Sequence, residues 1–349
     1  MSRFRLVAPG AALVLLAACG RPAAEPRVDR ATRSALAEQA KATLGVLPER
    51  MPGGEGDTPE RVALGRTLWF EKKLSVTGTQ ACNDCHRLDG ERPTGADGER
   101  TSDGAKGERG PRNSPSVKNA GYHLAQFWDG RAKTLEEQAT GPILNPVEMA
   151  MPSAAAAEAA LRASPGYQEP FAAAFPGDAD PVTLPNAARA LAAFQRTLKT
   201  SDRLDDFLRG DLDALSHREA AGLQLFLKTG CTTCHNSPTI GGNQFQLLGL
   251  VKAWETKDPG RFAVTRNEED RGKFKVPSLR NAVSTGPWFH DGSIDRLDEA
   301  VRKMAWHQLG KELTDDEIAS IVAFLGALAD RSGPVVPPAG TGTGAEETR

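Results

Sequence analysis

Cys82-Asn83-Asp84-Cys85-His86 and Cys231-Thr232-Thr233-Cys234-His235 are the two stretches on which the reading of this chain turns. Each is C-x-x-C-H, the attachment pattern of a c-type haem. The chemistry explains the spacing. Two thiols reach the two vinyl groups on one porphyrin edge, and the next residue, a histidine, is carried beneath the ring, where its imidazole binds iron. Three other readings compete. A zinc site wants its two C-x-x-C pairs far closer than the 149 residues between Cys82 and Cys231. A thioredoxin-like pair needs no histidine after it, and two copies would be odd. A disulfide inside C-x-x-C closes a short, strained loop. Two covalently bound haem c groups are therefore expected.

The fifth cysteine, Cys19, follows Arg3, Arg5, an apolar run from Ala11 to Ala18, and the small residues Ala17 and Ala18. Residues 1–18 read as a lipoprotein signal peptide, with Cys19 as the lipidated new N-terminus. The competing reading is an ordinary signal with an incidental cysteine; lipidation has the merit of leaving Cys19 in no need of a disulfide partner. Export agrees with covalent haem attachment, which takes place outside the bacterial cytoplasm. The expected location is the periplasm, with the membrane reached only through Cys19. The 349 residues, 39% hydrophobic and 25% charged, suffice for two domains with real cores and are too apolar for general disorder. A net charge of -2 excludes an electrostatic grip on nucleic acid. No apolar stretch in the body of the chain is long enough to span a bilayer. The expected organisation is the signal at 1–18, a tether and leading helix at 19–48, a first haem domain at 49–200, a second at 201–332 and a flexible tail at 333–349.

Helix signals dominate. Thr58-Pro59-Glu60 opens one helix with a threonine cap and proline at the first position. Ser216 to Glu219 is a capping box, followed by Leu223, Phe226 and Leu227 and stopped by Gly230. Thr314 to Glu317 opens another, with Ile318, Ile321, Val322 and Leu325 on one side. Ser153 to Arg162 and about Asn186 to Leu198 are Ala-rich helical stretches. Strand signals are few. The fold class is mainly α with long loops. Helix, C-x-x-C-H, loops, methionine and last helix resemble the order of the cytochrome c fold, giving two such haem domains related by an internal repeat.

That repeat is visible at a spacing of 162. Pro115-Ser116 matches Pro277-Ser278, Lys118-Asn119-Ala120 matches Arg280-Asn281-Ala282, Asp129-Gly130 matches Asp291-Gly292, and Leu135 and Glu137 match Leu297 and Glu299. The same spacing carries Met304 to Pro142. If Met304 is the distal ligand of the second haem, the first haem has no sulfur in that place and has Gln138 and Glu148 nearby instead. A thioether stabilises ferrous iron and raises its potential. A distal side without a strong ligand leaves iron able to take substrate. Met304 as core packing, and His307 as a rival ligand, are the alternatives.

Arg112-Asn113-Ser114-Pro115-Ser116-Val117, Ala125-Gln126-Phe127-Trp128-Asp129-Gly130-Arg131, Leu135-Glu136-Glu137-Gln138-Ala139 and Val147-Glu148-Met149 follow the first haem motif. Asp258-Pro259-Gly260-Arg261-Phe262-Ala263-Val264-Thr265 and Phe289-His290 follow the second. Over about residues 50 to 330 this resembles the bacterial di-haem cytochrome c peroxidase family, MauG-like relatives included. The resemblance implies that His86 is the proximal ligand of the peroxidatic haem, His235 that of the electron-transfer haem, and Met304 its distal ligand. It implies that Gln138 and Glu148 face bound peroxide, that Trp128 lies between the haems on the electron route, and that His290 sits beside a propionate. It implies one calcium ion held by the side chain of Asn113 and the carbonyls of Thr285 and Pro287, and homodimers. One departure matters. Family members often carry a loop histidine that blocks the first haem at rest; here the matching position is Ala105, and no histidine occurs between Arg87 and Tyr122. An open first haem in the oxidised protein is expected. MauG-like members have tyrosine in place of the distal methionine, unlike this chain.

The implied reaction takes hydrogen peroxide, two electrons and two protons to two waters. Glu148 moves a proton between the peroxide oxygens and Gln138 orients them; the electrons come from a small periplasmic cytochrome c or a cupredoxin. The rival functions are a MauG-like enzyme that oxidises another protein and a non-enzymatic carrier with both irons six-coordinate. Blander roles stand beside each residue: Glu148 as a surface carboxylate after the turn-like Asn145-Pro146, Trp128 as packing, His217 as a solvated first-turn residue. His123 reads either as structural or as a substitute for the missing loop histidine.

Overall fold

The computed structural model describes residues 26–338. The signal segment, Cys19 and the end of the tail lie outside the described residues. Helix α1 (Arg30–Leu44) is capped by Asp29, which accepts from Thr32 N–H. In α2 (Pro59–Trp69) Thr58 is the cap and proline takes the first turn, where its missing N–H costs nothing. The single turn α3 (Cys82–Cys85) carries the first haem motif. Helices α4 (Leu135–Leu144), α5 (Ala154–Arg162), α6 (Gln168–Ala174) and α7 (Leu184–Gln195) complete the first half. The second half holds α8 (Arg203–Leu208), α9 (His217–Thr229), α10 (Phe262–Thr265), α11 (Leu297–Leu309) and α12 (Asp315–Ala327). Strands β1 (Phe245–Leu247) and β2 (Lys273–Lys275) form one short antiparallel pair.

The capping boxes at Ser216 and Thr314 form, and Gly230 ends α9 in the left-handed region at φ 101°. Helix α7 differs from expectation at both ends. Thr183 accepts from Asn186 N–H and so starts it at Leu184. It stops at Gln195 because Thr197 N–H and Leu198 N–H turn back to Phe194 and Gln195 carbonyls three residues earlier.

Each half is built on one close helix crossing. Gly65 of α2 lies on α7 so tightly that a Cβ would sit 1.9 Å from Ala190 O, and Gly222 of α9 lies on α12 with the same 1.9 Å to Ser320 O. Beside each crossing an aromatic pair fills the core: Trp69 with Phe194 at 5.7 Å and Phe226 with Phe324 at 5.3 Å between centroids. The leading helix α1 belongs to the second core, where Leu36, Ala40 and Leu44 pack with Phe207, Leu223 and Phe324. Burying such a leucine is worth about 1.5–3 kcal/mol, which holds α1 to the far half of the chain. His217 contributes as well; it is exposed, as expected, but its Nδ1 accepts from Val28 N–H at 3.0 Å.

The repeat survives as geometry. Asn119 and Asn281 both adopt the left-handed conformation, at φ 64° and 62°. Gln126 Nε2 donates to Ala120 O and Trp288 Nε1 to Ala282 O, both at 2.9 Å. Across the domain boundary Asn113 N–H donates to His290 O and Lys275 N–H to Trp128 O, both at 2.8 Å. These two bonds are each other's counterparts at the 162 spacing, so the halves meet about a pseudo-two-fold axis. Arg112 locks the boundary, with Asp258 at 2.7 and 2.8 Å and Asp129 at 2.6 Å.

Candidate functional site

The first haem motif opens a cavity lined by Cys82, Cys85, His86, Trp128, Gln138 and Glu148 among others. Asp84 accepts from Ala81 N–H at 2.7 Å and His86 N–H returns to Cys82 O at 2.9 Å, so the turn fixes both thiols on one rim. His86 Nδ1 lies 3.3 Å from Gly95 O. In the second motif His235 Nδ1 lies 2.8 Å from Ile240 O. A carbonyl at Nδ1 sets the tautomer that leaves the Nε2 lone pair for a metal. Burial pushes the imidazolium pKa of both down, that of His235 to about 4, which keeps the rings neutral as ligands must be.

The second cavity is lined by Cys231, Cys234, His235, Met304 and a largely apolar wall that includes Phe226 and Leu325. Helix α11 delivers Met304 to this wall. Its neighbour His307 is turned elsewhere: Nδ1 lies 2.9 Å from Lys252 O, and the ring meets Trp254 edge-on at 4.8 Å. In the first cavity helix α4 delivers Pro142 to the corresponding place, on the same wall as Gln138.

The thiols do not fit the competing chemistries. All four are free, and among the described residues no three His, Cys, Asp or Glu side chains converge as a metal cluster. Burial pushes Cys82 up to about 12 and Cys85 and Cys231 up to about 11, the opposite of an activated redox thiol. Unbonded thiol pairs on cavity rims, each with a neutral imidazole, fit haem c.

A di-haem cytochrome c peroxidase family model matches residues 59–213, and a cytochrome c model matches residues 219–329. The chain is 44% identical to the cytochrome c551 peroxidase of Nitrosomonas europaea, covering 82% of this chain and 87% of the relative. It belongs to the di-haem cytochrome c peroxidase family. It is also 40% identical to the cytochrome c551 peroxidase of Pseudomonas aeruginosa, covering 88% of this chain and 90% of that one. A solved MauG-like protein associated with microbial copper homeostasis matches with a TM-score of 0.73 at 31% identity, over 82% of this chain and 94% of that chain. The protein is therefore a mainly helical enzyme, a di-haem peroxidase with two haem c groups.

Glu148 receives Asn145 Nδ2 at 2.9 Å; burial pushes its carboxyl up against the opposing pull of Arg131. Its carbonyl accepts from Ala105 N–H at 2.7 Å, which pins the loop that carries Ala105. Trp128 lines both cavities and donates through Nε1 to Asn113 O at 2.9 Å. His290 is buried on the second cavity against Phe274, 4.1 Å between centroids, and its Nδ1 has no partner. Asn113, Thr285 and Pro287 all line the first cavity. Asn113 Nδ2 is spent on Glu99 O at 2.9 Å, which leaves Oδ1 free of protein donors, as are the Thr285 and Pro287 carbonyls among the described residues. Oxygens of this kind are the donors a hard cation takes.

Sequence reasoning missed Lys275 and left His123 unassigned. Both line the first cavity, and Lys275 lines the second as well. The signal was a charged residue between Phe274 and Val276 in a short strand.

Proposed function

We propose that this enzyme reduces hydrogen peroxide to water outside the cytoplasm, with electrons from a small cytochrome c or cupredoxin that pass through the second haem to the first. The observation that carries this is the pairing of Pro142 with Met304: at one and the same place of the repeated scaffold the second cavity has a methionine and the first a proline. When bound, haem would supply an iron able to accept a peroxide oxygen and to exchange electrons one at a time. Glu148, a half-buried carboxylate with a raised pKa, takes a proton from one peroxide oxygen and returns it to the leaving oxygen. Gln138 holds the peroxide by hydrogen bonding. Trp128, on the wall common to both cavities, is the route between them. Asn113, Thr285 and Pro287 hold calcium at the domain boundary. Ala105 puts only a methyl where a histidine would reach the first cavity. Export to the periplasm and lipidation of Cys19 complete this reading.

The test mixes the holoprotein with peroxide and reduced donor. Rapid donor oxidation supports the proposal. Oxidation of the protein by peroxide without donor turnover favours a MauG-like role, and no reaction favours a carrier. An as-isolated ferric protein with two low-spin haems and no high-spin signal would refute the open first site.

A further inference from the structure

The 162 spacing that relates the halves also relates two polar sites at their boundary. It carries Asn113 to Lys275, Thr285 to His123 and Pro287 to Ala125. The oxygen cluster of Asn113, Thr285 and Pro287 therefore has a mirror site made of Lys275, His123 and Ala125. The backbone bonds that place the two leading residues, Asn113 to His290 and Lys275 to Trp128, are themselves counterparts at 2.8 Å. In the mirror site Lys275 Nζ donates to Ala125 O at 2.9 Å and lies 3.3 Å from His123 Nδ1. The carbonyl that receives the ammonium is thus the counterpart of Pro287 O.

Lys275 is only 7% exposed, and among the described residues no carboxylate stands within ion-pair distance. Asp129 acts on it only from farther away, and burial pushes its pKa down to about 8. A buried cation without a bonded anion is costly unless something else neutralises it. His123 Nε2 on the same cavity is likewise buried without a partner. Both residues line the cavity that receives a porphyrin bearing two propionates.

We propose that Lys275, steadied by His123 and Ala125 O, is a built-in cation occupying the pseudo-symmetry mate of the Asn113 oxygen cluster, and that it serves as counter-ion to the propionates of the first haem. One half of the boundary recruits its positive charge and the other carries it on a side chain. The inference rests on the di-haem reading and on nothing else about the reaction.

A positive charge near iron favours the reduced state, which has one positive charge fewer. Lys275→Met should shift the one-electron equilibrium of the first haem toward ferric by about tenfold, which is 59 mV for one electron. Lys275→Arg should keep it. Spectroelectrochemical titration of holoprotein, with haem content checked first, reads both. An unchanged first-haem potential in a fully loaded Lys275→Met protein overturns the proposal and leaves the peroxidase reading intact; failure to hold two haems in the parent protein would instead overturn that reading. If the methionine variant does not fold, Lys275→Asn rebuilds the cluster of the other half. Its first-haem potential should drop in the chelated protein and recover when calcium is added, with one more calcium bound per chain than in the parent. A potential equal to the parent's under chelation overturns the proposal.

Discussion

The two cavities share a scaffold and differ in a few side chains. At the common spacing Gln138 faces Ala300, Pro142 faces Met304, and Glu148 falls on Gly310. The helix crossings, the left-handed asparagines and the carbonyl-bound histidines are common to both halves. What separates the two cavities is therefore the lining of one wall, not the fold beneath it; on the proposed function that wall divides a site that stores an electron from one that takes an oxidant.

The comparison breaks hardest at Glu148. Glu148→Gln should lower peroxide turnover by about 100- to 10,000-fold while both haems remain, as expected for loss of a positioned acid–base group. In the parent protein the rate should fall as pH drops, because the carboxylate form is needed. Burial raises the Glu148 pKa, so the fall should begin above the ordinary glutamate range in a pH–rate profile. Exchanging the distal positions is the next test. Pro142→Met should abolish the ferric high-spin signal of the first haem, and Met304→Ala should create a second one and lower the potential of its haem; electron paramagnetic resonance reads both.

What the halves share can be tested too. Gly65→Ala and Gly222→Ala each force a methyl onto a helix carbonyl, so both should cost about 1–3 kcal/mol or more in denaturant unfolding. The smallest effect is expected at the tail. Val335 N–H donates to Leu88 O at 2.8 Å, and removing residues after Ser332 should destabilise the folded chain by about 0.5–1.5 kcal/mol in denaturant unfolding.

Much of this was legible in the residues. Caps at Thr58, Ser216 and Thr314 fixed helix starts because a side-chain oxygen must satisfy orphan amides there. The haem motifs were legible because covalent attachment demands a fixed spacing. The contrast of Pro142 with Met304 followed from the repeat alone. The residues proposed to hold calcium rested on resemblance, since two of the three would use only backbone oxygen, which any residue type provides. Lys275 was hidden because its partners His123 and Ala125 lie some 150 residues away in the chain, and no local pattern reports such a meeting. The home of α1 was hidden for a related reason: an amphipathic face shows that a helix must be covered, not by which core.

That placement has a consequence for how the molecule comes apart. The opening helix is owned by the closing domain, while Val335, near the end of the described chain, returns to the opening one. The two lobes are knit like a hem folded back on itself, so a cut between residues 200 and 201 would not release two self-sufficient pieces. Each fragment would carry off a patch that its former neighbour needs, and the lobes should therefore melt as one body.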